Sequence, residues 1–232
     1  MADDDDEIWH PKTDLGRKVL SGDVTDITQV LRGREKIREP EIVDNLVSNL
    51  DEEVILIGGT PGKGGGKKRI VSRRTVRMHK SGRRFNTKSM VVVGNRDGLL
   101  GLAEGSADDT RDAIDKARDN AKLNMIEVRR GCGSWECGCG EPHSIPFTVE
   151  GKSGSVEVEL QPAPRGIGLA ASEGIRKTLE LAGIEDAWIK SRGNTRTREN
   201  HIKAVFNALQ QLNEMKTSEQ IEQSAGIVEG GV

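Results

Sequence analysis

The sequence predicts an α+β protein built as two consecutive domains, and three observations carry that expectation. Residues 69–103 and 145–161 alternate apolar and polar side chains in short runs broken by turn residues, the pattern of half-buried strands. Each block of strands is followed by apolar residues spaced three and four apart, the pattern of a helix laid on a sheet. Between the blocks lies a glycine-rich stretch with few helix formers. With 232 residues the chain is long enough to give each half a core.

Residues 1–64 read as an N-terminal extension, polar and weakly periodic. Residues 19–31 and 40–50 are short-helix candidates, with Pro40 suited to a helix start. The apolar run Val54-Ile55-Leu56-Ile57 ends at Gly58, and TPGKGGGKKR then reads as a flexible basic arm. It is not a phosphate-binding P-loop: Gly58 stands one residue too close to Gly62, Gly64 replaces the required hydroxyl, and no helix follows.

The first domain spans 65–130 and reads β-β-β-α. Strands are expected at 69–77, 86–93 and 99–103, with turns at MHKSGR and NRDG. Ser106 is placed to cap the helix, with Asp109 three residues on. Ile114, Ala117, Ala121, Met125 and Val128 form its buried face. Residues 131–144 are a Cys- and Gly-rich connector. The second domain spans 145–213 and reads β-β-α-β-α. Its strands are expected at 145–150, 155–161 and 187–191, and its helices at 172–182 (closed by Gly183) and from Thr197 on, with Ile202, Val205, Leu209 and Leu212 facing inward. The polar residues 214–232 read as a mobile tail.

The net charge of −2 conceals a strong asymmetry: from Lys63 to Arg96 there are twelve Lys or Arg and no Asp or Glu. A basic face on an acidic body points to a polyanion partner. Acid on such a binder is tolerable in a salty cytoplasm, where charge repulsion is screened within a few Å. RRTVRMHKSGRR puts Arg73, Arg74, Arg77, His79, Lys80, Ser81, Gly82, Arg83 and Arg84 on a hairpin, where arginine forks match phosphate oxygens. QPAPRGIG and SRGNTRTREN repeat that chemistry with Arg165, Gly166, Arg192, Gly193, Asn194, Arg196 and Arg198. Three such loops suggest a wide, shape-reading contact with folded RNA. With three Phe, three Trp and no Tyr, single-strand binding by base stacking is disfavoured. No 18-residue apolar run exists to cross a membrane, and the acidic opening MADDDDEIWH is no signal peptide.

All three cysteines fall within RRGCGSWECGCGEPHSIPF. An odd, clustered set is no secreted disulfide framework and fits a reducing cytoplasm. Cys132, Cys137, Cys139 and His143 have the spacing C-x4-C-x-C-x3-H. Three thiolates and an imidazole can close one tetrahedral structural zinc site, which would fix the angle between the domains. The alternative is three reduced cysteines in a tight connector held by packing of Trp135. A Cys–His nucleophile lacks an orienting third group and a pocket. Glu173, Glu180, Glu185 and Asp186 read as solvated helix or turn residues, and His10, His79 and His201 as isolated.

The run from VSRRTVRMHKSGRRFNTKSMVVVGNRDG to the end of the first helix resembles the first domain of the universal small-subunit ribosomal protein five family (the S-five family). The run from PFTVEGKSGSVEVELQPAPRGIGLAASEG to ENHIKAVFNAL resembles its second domain. The resemblance covers roughly 65–213 (a span read from the motifs), and PHSIPF and PAPRG resemble its archaeal-type branch, the acidity its salt-loving members. It implies a double-stranded-RNA-binding-like first domain and an α/β second domain with a left-handed β-α-β crossover. It also implies a non-catalytic constituent of the small ribosomal subunit. Such a protein binds small-subunit rRNA near the decoding region and the path by which messenger enters, touches neighbouring small-subunit proteins and supports accuracy. The family's hairpin loop corresponds to His79, Lys80, Ser81, Gly82, Arg83 and Arg84. Its bacterial members lack the cysteine cluster. Two other classes stay in view: an RNA-binding module acting off the ribosome, and a zinc- or thiol-dependent enzyme.

Overall fold

Three short helices open the chain, α1 (Asp14–Ser21), α2 (Ile27–Arg32) and α3 (Glu41–Leu46). The structure is a computed structural model that describes residues 9–33, 35–61 and 66–230. The first eight residues of the acidic opening, the glycine run of the expected basic arm at 62–65, and 231–232 lie outside the described residues. Thr13 Oγ1 accepts the Gly16 N–H at 3.1 Å and starts α1. Gly22, at φ +82°, ends it in the left-handed conformation, so the helix expected across 19–31 is two pieces. Pro40 opens α3 as expected. Ile27, Val30, Ile42 and Val43 of this segment are buried.

They are buried against the first sheet. That sheet holds β1 (Asp51–Val54), β4 (Ser72–His79), β5 (Gly82–Gly94), β6 (Leu99–Ala107) and β7 (Met125–Glu127). Its order is β1-β5-β6-β7 with β4 also on β5, all antiparallel. The ribbon of β2 (Gly58–Pro61) and β3 (Lys67–Ile70) stands apart from it. Helix α4 (Thr110–Leu123) buries Ala113, Ala117 and Ala121. Side chains of a strand point to alternate faces. Val91 and Val93 of β5 meet α4 and the N-terminal helices, while Met90 and Val92 point the other way, into the core of the second domain. Both faces of the sheet are covered, not one.

Two expected helix boundaries move. Ser106 still belongs to β6, paired with Lys88, so it caps nothing; Asp109 is the N-cap residue. The helix stops at Leu123, where the Asn124 side chain donates to the Leu102 carbonyl at 2.8 Å and turns the chain back to the sheet. Met125 and Val128 are buried, from β7 and the segment after it rather than from a helix.

The second sheet has the order β10-β11-β9-β8, from β8 (Val149–Ser153), β9 (Val156–Pro162), β10 (Leu169–Ala170) and β11 (Ala187–Arg192). β10 and β11 are parallel around α5 (Glu173–Leu181); the other pairs are antiparallel. Helix α6 (Arg198–Glu214) buries Ile202, Val205, Leu209 and Leu212, as its spacing predicts. The hairpin turn sits at Gly154 and Ser155, and Ile145 is buried in the connector rather than in a strand.

One apolar core runs through both sheets, from Met90, Val92 and Leu102 to Val158, Leu179, Val205 and Leu209. Polar contacts seal its rim: Arg69 to Glu173 at 2.7 Å, and Arg198 Nη1 to the Leu56 and Gly58 carbonyls at 2.8 and 3.1 Å. Buried surface and the Arg198 contacts therefore join the two domains independently of the connector. Nor is the segment after α6 the loose end expected of it. Helix α7 (Glu219–Ala225) brings the Ala225 carbonyl to the Cys132 N–H at 2.7 Å, and Arg130 and Val228 exchange two backbone bonds at 2.9 and 2.8 Å. Backbone groups of the connector that would otherwise lie unpaired find partners there.

Candidate nucleic-acid interface and metal centre

Among the described residues, β5 beyond the pairing of Thr87 with Ala107 has no partner strand but β4, so residues 75–86 project as a two-stranded ribbon. Its tip carries His79, Lys80, Ser81, Gly82, Arg83 and Arg84, all exposed, with Gly82 at φ +119° completing the turn. Arg73, Arg74 and Arg77 are exposed on β4. The register assigns the faces. Arg73, Thr75, Arg77 and His79 share one face with Lys88, Asn86 and Arg84. Thr75, Arg77, His79, Arg84 and Lys88 line a hollow of about 350 Å³, whose rim also includes Phe85 and, just past the end of β6, Asp108, so it is mainly but not wholly cationic. Arg73 also reaches Glu199 of α6 at 3.6 Å, which ties the base of this face to the second domain.

The second-domain residues do not form one patch. Arg165, beside Gly166 at φ +88°, lines a wide hollow of about 960 Å³ with Arg96, Arg130 and Lys177. Arg196 and Arg198 line a smaller one of about 290 Å³ with Arg69 and the same Lys177, so these two hollows adjoin. Arg192 faces a third, beside Glu157 and Glu159. Gly193 sits at φ +86° next to exposed Asn194, and a Cβ on it would lie 1.8 Å from the Ser155 carbonyl. Arg198 is committed to the Leu56 and Gly58 carbonyls and acts as a clamp between domains.

The connector folds around its cysteines. Gly131 and Ser144 exchange backbone bonds at 2.9 and 3.1 Å, which closes the loop and sets Cys132 beside His143. The donor atoms of Cys132, Cys137, Cys139 and His143 all lie within 4.8 Å of one another. A tetrahedral zinc site with Zn–S near 2.3 Å and Zn–N near 2.0 Å places its donors roughly 3.5–3.8 Å apart. The four residues fit such an ion after a small contraction. Cys137 is shifted down to about 6, first by the Arg165 backbone N–H and then by neighbouring Cys139. Cys139 moves up: the Glu141 N–H pulls it down, but desolvation and the Cys137 and Cys132 sulfurs outweigh that. Three sulfurs this close ionise together only around a cation.

Behind the cluster, Asp186 Oδ2 lies 3.0 Å from His143 Nδ1, and its Oδ1 accepts the Gly168 N–H at 2.7 Å. A carboxylate accepting from Nδ1–H leaves the Nε2 lone pair facing the sulfurs, the arrangement that metal-binding histidines use. Asp186 is only 2% exposed, which corrects its reading as a solvated turn residue. Nothing in the sequence pointed to this pairing, because Asp186 stands 43 residues beyond His143 and only the fold brings the two together. Trp135 is 89% exposed, so it does not hold the connector together. His201, isolated in the sequence, has a partner in the fold: its Nε2 lies 2.8 Å from Ser191 Oγ.

Fold and surface together define an RNA-associated structural protein, with a basic ribbon and arginine loops on two joined α+β domains. Residues 66–129 match the family model described as ribosomal protein S5, N-terminal domain, and residues 151–224 that of the ribosomal protein S5, C-terminal domain. The chain belongs to the ribosomal protein S5 family, the structural and non-catalytic proteins of the small ribosomal subunit. It is 49% identical over 221 residues to the small ribosomal subunit protein uS5 of Haloarcula marismortui, covering 95% of this chain and 97% of the relative. The uS5 protein of Methanocaldococcus jannaschii is 47% identical (97% and 96% covered), and that of Picrophilus torridus 45% (98% and 96%). No helix among the described residues is long and apolar enough to cross a membrane.

Proposed function

We propose that the chain, as a cytoplasmic ribosome component, binds small-subunit rRNA near the decoding region and the path by which messenger enters, touches neighbouring small-subunit proteins, and supports accuracy. The observation that carries this reading is the ribbon of β4 and β5, whose exposed arginines stand in a stretch, residues 66–94, without one carboxylate. Phosphate contacts of this kind position a protein on folded RNA. Arg165 and Gly166, and Arg192, Gly193, Asn194 and Arg196, supply further contacts from the second domain. The test replaces Arg83 and Arg84 with Glu in cells lacking the wild-type chain. Subunit incorporation should fall or miscoding should change; wild-type assembly together with wild-type accuracy would overturn the reading.

The same reading assigns one structural zinc ion, and no other cofactor, to Cys132, Cys137, Cys139 and His143. Four protein ligands leave no open position, so the ion's work is structural. Its task is local: it ties the connector to the Arg165–Gly168 loop through His143 and Asp186. Elemental analysis of protein purified without chelators should find about one zinc per chain, and a Cys137→Ser, Cys139→Ser variant should lose it. Less than about a tenth of an equivalent in the wild type leaves only reduced cysteines.

A further inference from the structure

The projecting ribbon has a second face. Strand alternation sets Arg74, Val76 and Met78 of β4 on the side opposite the cationic hollow, with cross-strand partners Thr87, Phe85 and Arg83. Val76 is 49% exposed, Met78 71% and Phe85 40%, so the three form an open apolar stripe. The Arg74 guanidinium carbon lies 3.6 Å from the Phe85 ring centroid. Following the alternation down β5, this face continues through Thr87 and Ser89 to Val91 on the α4 side, whereas the cationic face continues to Met90 on the second-domain side. The ribbon is thus cationic on one side and apolar, bordered by arginine, on the other.

We propose that the Val76–Met78–Phe85 stripe is a docking platform for unstacked RNA bases. The proposal rests on the ribbon being an RNA anchor and names what its second face reads. Charge selects the occupant: Arg74 and Arg83 border the stripe, Lys80 sits at the tip, and residues 66–94 hold no acid. An occupant must bring flat apolar surface and negative charge together, which bases on a phosphate backbone do. Splayed bases stack on aromatic rings and on guanidinium planes, and Arg74 over Phe85 presents both already assembled. The two faces divide the work: Arg77, Arg84 and Lys88 take phosphates, and the stripe takes bases. A ribbon built this way fits into a junction of folded RNA, with backbone on one side and unpaired bases on the other. The scarcity of aromatics excludes a long stacking track, but one ring with Met and Arg neighbours suffices for one or two bases.

The experiment measures binding of the full-length chain to naked small-subunit rRNA over a range of salt, with dimethyl sulfate probing of the bases. Met78→Ser with Phe85→Ser should weaken binding about tenfold, as loss of a stacked base does, and leave the slope of affinity against salt unchanged. Arg77→Gln with Arg84→Gln should flatten that slope by roughly one to two. Phe85→Leu, which keeps bulk but not the ring, should fall between. Bases protected by the wild type should become reactive with the Met78 and Phe85 variant. All these positions are exposed, so unfolding temperatures should not move. If only the arginine pair weakens binding, the anchor stands and the platform falls. If neither pair does, the anchor reading itself fails. If the Met78 and Phe85 variant binds naked rRNA normally but fails to enter subunits, the stripe meets a protein and the platform is overturned. Full affinity for Phe85→Leu would likewise overturn stacking.

Discussion

The carboxylate of Asp186 lies 3.0 Å from Nδ1 of His143, with both side chains almost wholly buried. Its other oxygen holds the Gly168 N–H at 2.7 Å, two residues from Gly166 of the Arg165 loop. One side chain thus links the cysteine cluster to a loop proposed to meet RNA. Asp186→Asn retains the shape but has a single acceptor oxygen for two donors. Zinc affinity, read by competition with a chromophoric chelator, should fall about 10- to 100-fold. Amide exchange at Gly168 should quicken in the same variant. Unchanged affinity would remove Asp186 from the metal's support.

The segment after α6 is bound where the cluster is. Truncation after Lys216 removes the carbonyl that accepts from Cys132 and the Arg130–Val228 pair of bonds. It also removes Glu229, which pairs with Arg129 at 2.9 Å. At about 1 kcal/mol per buried backbone bond, the loss is roughly 2–3 kcal/mol. Hydrogen exchange should accelerate at Arg130 and Cys132 and stay unchanged in the ribbon of β4 and β5. Equal protection at Arg130 and Cys132 in both chains would show that the tail merely lies alongside.

Most strands and helices were legible because local patterns and tertiary burial agree. The alternation in MVVVG is also the alternation between two cores, and the four residues of α6 that its spacing names are all among the eight it buries. What escaped was decided by distant partners. The extension before β1 looks polar because Ile27, Val30, Ile42 and Val43 are spread over two short helices, and only the sheet they cover makes them a cluster. The tail is polar and gains its order from backbone bonds to the connector, which leave no trace in side-chain pattern. The cysteine spacing suggested a ligand set; the geometry that unites it comes from Gly131 and Ser144, and its carboxylate from 43 residues further on.

Gly151 lies inside β8 where α6 crosses it. A Cβ there would stand 2.0 Å from the Ala204 carbonyl, a backbone atom of a buried helix that cannot move aside alone. Gly151→Ala should therefore destabilise the protein by about 1–3 kcal/mol, the range for overpacked cores, and lower its melting temperature by several degrees. Gly138→Ala, which meets nothing within 4 Å, is the control and should melt as the wild type does. Equal melting of the two variants would mean that α6 sits farther from β8 than described.

His201 makes stability depend on pH in a defined direction. Its ring is buried on α6, with Nε2 2.8 Å from Ser191 Oγ, and desolvation holds it below the usual histidine range. The unfolded chain, with a value near 6.5, therefore takes up a proton before the folded one. Its contribution is fully present above about pH 6.5 and is lost as pH falls through that value to the lower folded one. His201→Gln can keep the bond to Ser191 and cannot be protonated. Between pH 7.5 and 5.5 the wild type should lose more melting temperature than this variant. Glu157, drawn down by Lys152, keeps its charge throughout that window. So does Glu39, where hydrogen bonds from Thr13, Lys12 and Trp9 outweigh the upward push of burial. Neither carboxylate contributes to the difference between the two proteins. Parallel melting curves across the window would show that His201 accepts its proton in the folded state without loss.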